Sequence, residues 1–196
     1  MSNTSGSLPI ILSEVTYLEM CGNPNLQIAD LGKFKMQYQE SPNVAEYLEI
    51  YRAVGRDYIW NYRPGQSIKE VEEVIKSTDS RLYYLYLNSQ VVGLAELDVS
   101  KSKDVELVHF GLIPEFLNQG IGKLFLNNII YEVWNSGVVR MWLSTCSLDH
   151  PKAIRFYQSA GFNIFKTRTG EFKDYRFSDF YDLKDAPHIP YGTHPK

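Results

Sequence analysis

The segment VELVHFGLIPEFLNQGIGKLFLNNII (residues 105–130) changes its apolar spacing once, from that of a strand to that of a helix. The spacing predicts a strand over residues 105–113 and a helix from Gly120 to its stop at Gly137. Between them, Gly120-Ile121-Gly122 lets backbone N–H groups approach an anion, and the helix N-terminus adds its positive dipole end. This arrangement predicts a phosphate-binding site.

Two nucleotide motifs are excluded by the residues that follow these glycines. A Walker A loop needs Ser or Thr after Gly122-Lys123, where Leu124 stands. A dinucleotide fingerprint needs a third glycine, where Phe125 stands. The phosphate therefore belongs to another ligand, unless the glycines only begin the helix and allow close packing.

The rest of the chain alternates predicted strands and helices around this segment. A strand over 138–145 follows a whole helix, so it should pair in parallel with 105–113 through a right-handed crossover. Residues 186–196 are expected to be loose, with one more strand possible over 173–183. The other predicted strands are 9–20, 33–39, 81–87, 91–99 and 162–167, and the other predicted helices are 42–55 (Ser41 as N-cap), 68–75 and 151–160.

Composition predicts one soluble domain. Of 196 residues, 44% are hydrophobic and 22% charged, and the net charge of -3 includes no basic run, which argues against nucleic acid as a partner. No apolar stretch approaches the length needed to cross a membrane, and the polar N-terminus (1–8) lacks signal-peptide features, so Asn3-Thr4-Ser5 is read as an accidental glycosylation pattern. Two cysteines, Cys21 and Cys146, form no disulfide framework or metal motif, so we expect a cytoplasmic protein without metal.

A second motif, Ala153-x-x-x-Tyr157-x-x-x-Gly161-Phe162, lies on a helix that leads into a strand. With the glycine loop, it makes residues 82–167 resemble the GCN5-related N-acetyltransferase (GNAT) superfamily. The resemblance implies a mixed α/β fold: a mostly antiparallel twisted sheet of six or seven strands, with one splayed parallel pair and helices on both faces. It implies a single domain (1–196), composed of an N-terminal extension (1–40), acceptor-side helices (41–80), an acetyl-CoA-binding core (81–167) and a C-terminal strand and tail (168–196).

The resemblance also implies acetyl-CoA as the acyl donor. Two positions depart from the family pattern: Leu117 stands where Gln or Arg is usual, and His150 where Asn is frequent, although His150 also suits a simple helix start. The implied contacts to acetyl-CoA are Phe110, Gly111, Leu112, Ile113, Leu117, Asn118, Gln119, Gly120, Ile121, Gly122, Lys123, His150, Ala153 and Tyr157.

Glu106 and Tyr157 are the candidate catalytic residues. A primary amine needs a base to lose its proton near neutral pH, and Glu106 lies on the strand before the glycine loop, where some family members carry a catalytic glutamate. Tyr157 holds the position of the tyrosine that protonates the CoA thiolate in the family. For Glu106 the alternative is a structural or exposed strand carboxylate, with a chain of water molecules as the base, as in many family members. For Tyr157 the alternative is a core tyrosine. Strand alternation places His109 on the face opposite Glu106, as a structural histidine, and Cys146 is expected to be a buried thiol.

The acceptor is expected to be a primary amine of a small molecule or peptide, attacking acetyl-CoA directly in a ternary complex. The candidate acceptor-side residues are Tyr58, Trp60, Tyr62, Arg63 and Thr145, although the first four suit the core equally. Two other functions stay open: a non-catalytic acyl-CoA sensor, and a structural or partner-binding domain with a degenerate loop. A homodimer is possible, as is common in the superfamily.

Overall fold

A computed structural model describes residues 7–194, and the Asn3-Thr4-Ser5 pattern lies outside this range. The seven strands form one sheet in the order β2-β3-β4-β5-β6-β1-β7. Every neighbouring pair is antiparallel except β5 and β6, which confirms the mixed fold and the predicted parallel pair. The strands are β1 (Ile10–Met20), β2 (Phe34–Tyr38), β3 (Ser80–Leu87), β4 (Gln90–Lys101), β5 (Asp104–Leu112), β6 (Arg140–Cys146) and β7 (Asn163–Lys173).

The four α-helices are α1 (Val44–Gly55), α2 (Ile68–Ile75), α3 (Ile121–Asn135) and α4 (Ala153–Ser159). The spacing Ser67-x-x-Glu70 is that of a capping box, and the structure confirms one at the start of α2. The predicted N-cap Ser41 is wrong: Asn43 caps α1, because its side chain accepts the N–H groups of Ala45 and Glu46 at 2.9 and 3.1 Å.

The parallel pair separates partway along its length. Pairing of β5 with β6 begins at Asp104↔Arg140 and ends at Leu107↔Leu143. Beyond that point β5 keeps its antiparallel partner β4, while β6 pairs with β1. Because β1 is inserted between β6 and β7, it is held on both sides, a position that the sequence did not predict. The gap between β5 and β6 contains the candidate active site.

A β-bulge at Val108 changes which side chains share a face of β5. Asp98 pairs with Glu106 and Leu97 with Leu107, but Glu96 pairs with His109, so β5 has one extra residue. Cross-strand partners share a face, and Glu96 and Asp98 are two apart on β4. His109 therefore lies on the same face as Glu106, and the prediction of opposite faces is wrong. The sequence reasoning assumed unbroken alternation, which the bulge interrupts.

Phe110 moves to the other face for the same reason. Its ring packs against Phe125 of α3, with centroids 5.2 Å apart, and against Phe156 of α4 at 5.9 Å. Gly111, one residue further, faces α1, where a Cβ would collide with Val54. Regular alternation would place Phe110 on the same face as Glu106, and this expectation is therefore also wrong.

The C-terminal segment differs from expectation. No strand forms over 173–183 beyond the end of β7; a short 3-10 turn (Tyr175–Phe177) begins there instead. The Arg176 guanidinium is buried, pairs with Asp174 at 2.8 Å and donates to the carbonyl oxygens of Ala186, Ile189 and Pro190. The tail through residue 194 is thus packed rather than loose, because one buried cation satisfies three of its carbonyl groups.

Candidate active site

A cavity of about 610 Å³ fills the gap where β5 and β6 separate. One end, the glycine-loop half, is lined by the start of α3 and by α4, including Asn118, Gly120, Gly122, Lys123, Ala153 and Tyr157. The other end, the aromatic half, is lined by Tyr17, Tyr58, Trp60, Tyr62, Glu106, Trp142 and Arg168. The cavity thus connects the predicted phosphate site to the predicted base.

The glycine-loop half presents backbone donors. Gly120 is the N-cap of α3 with φ +80°, a left-handed conformation that favours glycine, and Asn118 before it has φ +59°. Gly120 has no side chain with which to cap the helix, so the N–H groups of the first turn face the loop without a capping oxygen. Lys123 and Lys152 add positive charge to the lining. This end of the cavity suits a phosphate-bearing ligand.

The free edge of β5 forms one wall between the two halves. Phe110, Gly111 and Leu112 line the cavity after pairing with β6 has stopped. The Ile113 N–H donates to the Val92 carbonyl on β4 at 2.9 Å. Because N–H groups alternate between the two edges of a strand, the N–H of Leu112 points away from β4 and toward the gap.

Three of the residues that the family resemblance implied for acetyl-CoA do not line the cavity. Ile113 and Ile121 are buried in the hydrophobic core, where they hold β5 and α3 together. The Gln119 side chain bends back and donates from Nε2 to the Glu115 carbonyl at 2.7 Å. Leu117 and His150 do line the cavity, and the His150 Nδ1 accepts the Lys152 N–H at 3.1 Å.

Tyr157 lies beside a carboxylate that sequence reasoning missed. The half-buried Tyr157 ring packs against Phe156 and Phe162, and burial, followed by the charge of Asp149, raises the pKa of its phenol. Asp149 accepts the Thr145 hydroxyl at 2.7 Å and the Cys146 N–H at 2.9 Å. Tyr157 therefore stays protonated, and Thr145 lines the cavity with its hydroxyl hydrogen donated to Asp149.

Cys146 is half-buried rather than fully buried, and it lines the cavity. Burial, with the nearby Asp149 charge, raises the pKa of its thiol to about 11. A thiol of this pKa is almost entirely protonated near neutral pH, so it is a poor nucleophile.

Glu106 lies half-buried in the aromatic half, opposite Asp98 on β4. Burial raises the pKa of its carboxyl to about 7; the charges of Asp98 and Asp104 act in the same direction and Lys101 opposes them. Among residues 7–194, no cation lies within salt-bridge distance of this carboxylate. The group is thus poised to exchange a proton near neutral pH.

The aromatic half combines predicted and unpredicted residues. Tyr58, Trp60 and Tyr62 line it as sequence analysis suggested, and Tyr62 is 57% exposed. Tyr17, Trp142 and Arg168 come from β1, β6 and β7, and the Arg168 Nε donates to the Tyr17 hydroxyl at 2.6 Å. Sequence analysis missed Tyr17 and Arg168 because the order β6-β1-β7 cannot be read from apolar spacing alone, and it also missed Trp142. Arg63, which it grouped with the aromatic candidates, does not line the cavity.

A buried network of polar side chains packs behind the aromatic half. The Arg63 guanidinium binds the Glu96 carboxylate and donates from Nε to the Tyr47 hydroxyl at 2.8 Å. Tyr47 in turn donates to Glu96 at 2.6 Å, and the His109 Nδ1 lies 2.9 Å from the same carboxylate. Burial alone would raise the pKa of Glu96, but His109, Arg63 and Tyr47 together lower it to about 2. Glu96 is therefore an anion at neutral pH.

Within residues 7–194, no helix has the length and apolar character needed to span a membrane. In the same range, no cluster of three or more histidine, cysteine or acidic side chains is placed to hold a metal ion.

Comparison with known proteins points to one family. Residues 47–162 match the model of the acetyltransferase (GNAT) family. An uncharacterised N-acetyltransferase of Mycobacterium tuberculosis is 26% identical over 98 residues, which cover 50% of this chain and 62% of the relative. The ribosomal protein bS18-alanine N-acetyltransferase of Salmonella typhimurium is 33% identical over 60 residues, covering 31% of this chain and 40% of that enzyme. The chain thus spans less than two thirds of these curated relatives.

Solved structures share the fold at low sequence identity. A GCN5-related N-acetyltransferase from Sphaerobacter thermophilus has a TM-score of 0.63 at 14% identity, covering 86% of this chain and 54% of that one. A GNAT family acetyltransferase from Elizabethkingia anophelis, solved with acetyl-CoA bound, has a TM-score of 0.54 at 19% identity, covering 68% of this chain and 78% of that one. With the family match over residues 47–162, these findings confirm the resemblance seen in the sequence, and the chain belongs to the GNAT acetyltransferase family.

Proposed function

We propose that this protein is an N-acetyltransferase that moves the acetyl group of acetyl-CoA to a primary amine by direct attack in a ternary complex. One observation carries the proposal: a single cavity runs from the uncapped N-terminus of α3 to the carboxyl of Glu106. The first end suits the phosphates of a CoA ester, and the second suits a proton acceptor. The gap between β5 and β6 provides the space in which donor and acceptor meet.

In this proposal the pyrophosphate of acetyl-CoA binds at the N-terminus of α3, with Lys123 beside it. The pantetheine arm lies along residues 110–112 of β5, whose outer edge has no strand partner. Backbone donors provide most of these contacts, so the departure at Leu117 removes one side-chain contact without removing the site. His150 and Ala153 lie on the α4 side of the same channel.

Glu106 takes the first proton from the acceptor's ammonium group. Its pKa of about 7 leaves a substantial fraction ionised at neutral pH, and protonation at lower pH removes the base. The freed amine attacks the thioester carbonyl, and the Leu112 N–H stabilises the oxyanion that forms. Tyr157 gives its proton to the departing CoA sulfur, a role consistent with the raised pKa of its phenol.

The acceptor binds in the aromatic half. The faces of Tyr58, Trp60 and Tyr62 attract a cationic amine before it loses its proton, and Glu106 lies within the same lining. The Ser144 side of β6 and Arg168 of β7 complete this wall. A primary amine on a small molecule or a peptide is the acceptor class that this combination favours.

Calorimetric titration with acetyl-CoA is the direct test, with ATP and NAD as controls. We expect saturable binding of acetyl-CoA alone. A panel of primary amines, assayed by CoA thiol release, then separates the alternatives. Binding with turnover supports the proposal, binding without turnover of any amine indicates an acyl-CoA sensor, and absence of binding indicates a structural or partner-binding domain.

A further inference from the structure

His109 is the one buried side chain of the cavity lining whose hydrogen-bonding capacity is only half used, within residues 7–194. Its Nδ1 lies 2.9 Å from the Glu96 carboxylate, whereas its buried Nε2 has no hydrogen-bond partner among these residues. Because Glu96 is anionic, Nδ1 carries a hydrogen toward it, and the lone pair of the neutral imidazole is then on Nε2. An unsatisfied buried nitrogen is costly, so a cavity-lining one is an indication of ligand chemistry.

The imidazole is held firmly in place. Rings of Tyr51, Trp60 and Tyr62 surround it, with centroids 5.0, 5.1 and 5.4 Å away. Glu96 is itself fixed by Arg63 and by the Tyr47 hydroxyl. A histidine whose Nδ1 is bound by a fixed carboxylate has its tautomer and orientation set, which is the arrangement that presents Nε2 as a base.

The bulge at Val108 places His109 on the same face of β5 as Glu106. Tyr62 lies beside both groups: its ring contacts His109, and the Glu106 charge helps to raise its pKa after burial. Because Tyr62 is 57% exposed, it is the ring that can move aside to let an amine reach the buried Nε2. Two proton acceptors therefore border one position in the aromatic half.

The reaction requires two proton transfers from the nitrogen. An ammonium substrate loses one proton before attack, and the nitrogen of the tetrahedral adduct loses another after the new C–N bond has formed. When the C–S bond breaks, the sulfur takes one proton, and the net reaction releases one proton to solvent. Glu106 can hold only the first of the two protons, so a second acceptor lets the adduct nitrogen lose its proton before Glu106 is discharged.

Resting on the function proposed above, we infer that His109 is a second proton acceptor, which takes the proton of the adduct nitrogen at Nε2 after Glu106 has taken that of the ammonium. Glu96 is then a positioning residue that stabilises the resulting imidazolium. One of the two protons returns to Tyr157, which has protonated the sulfur, and the other leaves to solvent. The ionisable groups that face the imidazole are Glu96, Tyr47, Tyr51, Tyr62, Arg63, Asp149 and Glu106.

The test is the pH dependence of kcat in wild type, His109→Gln and His109→Asn. Both amides can still donate to Glu96, but neither accepts a proton near neutral pH. We expect kcat to fall by about 10²-fold or more, and the acid limb of log kcat against pH to be one unit less steep than in wild type. Glu106→Gln should flatten the limb to the same degree.

Melting temperature and acetyl-CoA affinity identify which variants fold, and the smaller Asn provides a second variant if Gln does not fit. Folded variants with an acid limb as steep as wild type would overturn the inference, because a structural role lowers kcat without changing proton stoichiometry. Failure of wild type to acetylate any amine would instead contradict the proposed function itself, so the two failures are distinguishable.

Discussion

The two halves of the cavity are built in different ways. In the glycine-loop half, one continuous segment made of β5, a loop and the first turn of α3 presents backbone groups, and α4 closes the opposite side. The aromatic half is assembled from side chains of β1, β5, β6, β7 and the loop after α1, supported by a buried ionic network. A backbone site tolerates many side-chain changes, whereas a site made of side chains is specific to one protein. Under the proposed function, the donor end should therefore tolerate substitutions better than the acceptor end.

The largest expected effect is in the aromatic half. Glu106→Gln removes the proton acceptor without a change of shape, so kcat should fall by about 10²- to 10⁴-fold while acetyl-CoA affinity is retained. In wild type, activity should rise with pH through about 7, where the Glu106 carboxyl ionises, and the variant should lose this step. Steady-state kinetics and calorimetry measure the two quantities.

Glu171→Gln is the matched control, because Glu171 is an exposed carboxylate of β7 that lies outside the cavity. It should behave as wild type. Equal losses of activity in the two variants would show that general charge, not the position of Glu106, supports catalysis.

The network beneath the aromatic half should have a large effect on stability. Arg63→Met leaves the buried Glu96 carboxylate without its cation, so the free energy of unfolding should fall by about 3–5 kcal/mol. Urea denaturation at pH 7 measures this. Arg63→Met combined with Glu96→Leu should recover part of the loss, since both charges are then gone; a double variant less stable than the single one would contradict this account.

The lowered pKa of Glu96 predicts that the free energy of unfolding decreases at acid pH. Its pKa is lowered to about 2 in the folded protein, whereas an unfolded Glu titrates near 4.3, so the contribution is complete above about pH 5 and is lost as the pH falls toward 2. Denaturation between pH 7 and 3 should show this decline. An Arg63→Met protein should show a smaller one, because its Glu96 has lost one of the charges that lower its pKa.

A smaller effect is expected in the glycine-loop half, where only the size of an added side chain should change acetyl-CoA affinity. A Cβ at Gly122 makes ordinary contacts, 3.5 Å from Leu112 and 4.0 Å from Phe156, so Gly122→Ala should bind acetyl-CoA nearly as wild type. Gly122→Leu extends a side chain among these lining residues and should weaken binding by more than about tenfold by steric exclusion. Calorimetry compares the two; equal affinities would place the donor elsewhere.

The smallest effect should come from a polar side chain of the same half. His150→Ala removes one hydrogen-bonding side chain, worth about 0.5–1.5 kcal/mol, so acetyl-CoA affinity should fall by no more than about tenfold. A loss of several hundredfold would show that side chains, and not the backbone, dominate this half, and the contrast between the halves would then fail.

Much of the fold was predictable because its strands and helices are indicated by patterns within short segments of the sequence. The predicted strands 81–87, 91–99 and 105–113, the four helices and the glycine loop each have their own spacing or capping residues, and the structure confirms these strands and helices. The order β6-β1-β7 was not predictable, since it depends on pairing between residues more than 120 positions apart. Tyr17 and Arg168 were missed for that reason.

His109 shows most clearly what could not be predicted from the sequence. Regular alternation from Glu106 predicts the wrong face, because a single extra residue at Val108 reverses the alternation beyond it. A bulge is decided by the fit of two strands against their neighbours, not by the residue that occupies it. The partners of His109, Glu96 and Arg63, lie 13 and 46 positions away and carry no joint sequence pattern.

The sequence by itself determined the family, the glycine loop and the two strands that border it, because these depend on glycine geometry and apolar spacing within about 60 residues. Only the tertiary structure decided how far β5 and β6 separate, which side chains face the gap and which groups share a buried charge. Burial and electrostatic interaction depend on distance in space, and folding brings together residues that the sequence keeps far apart.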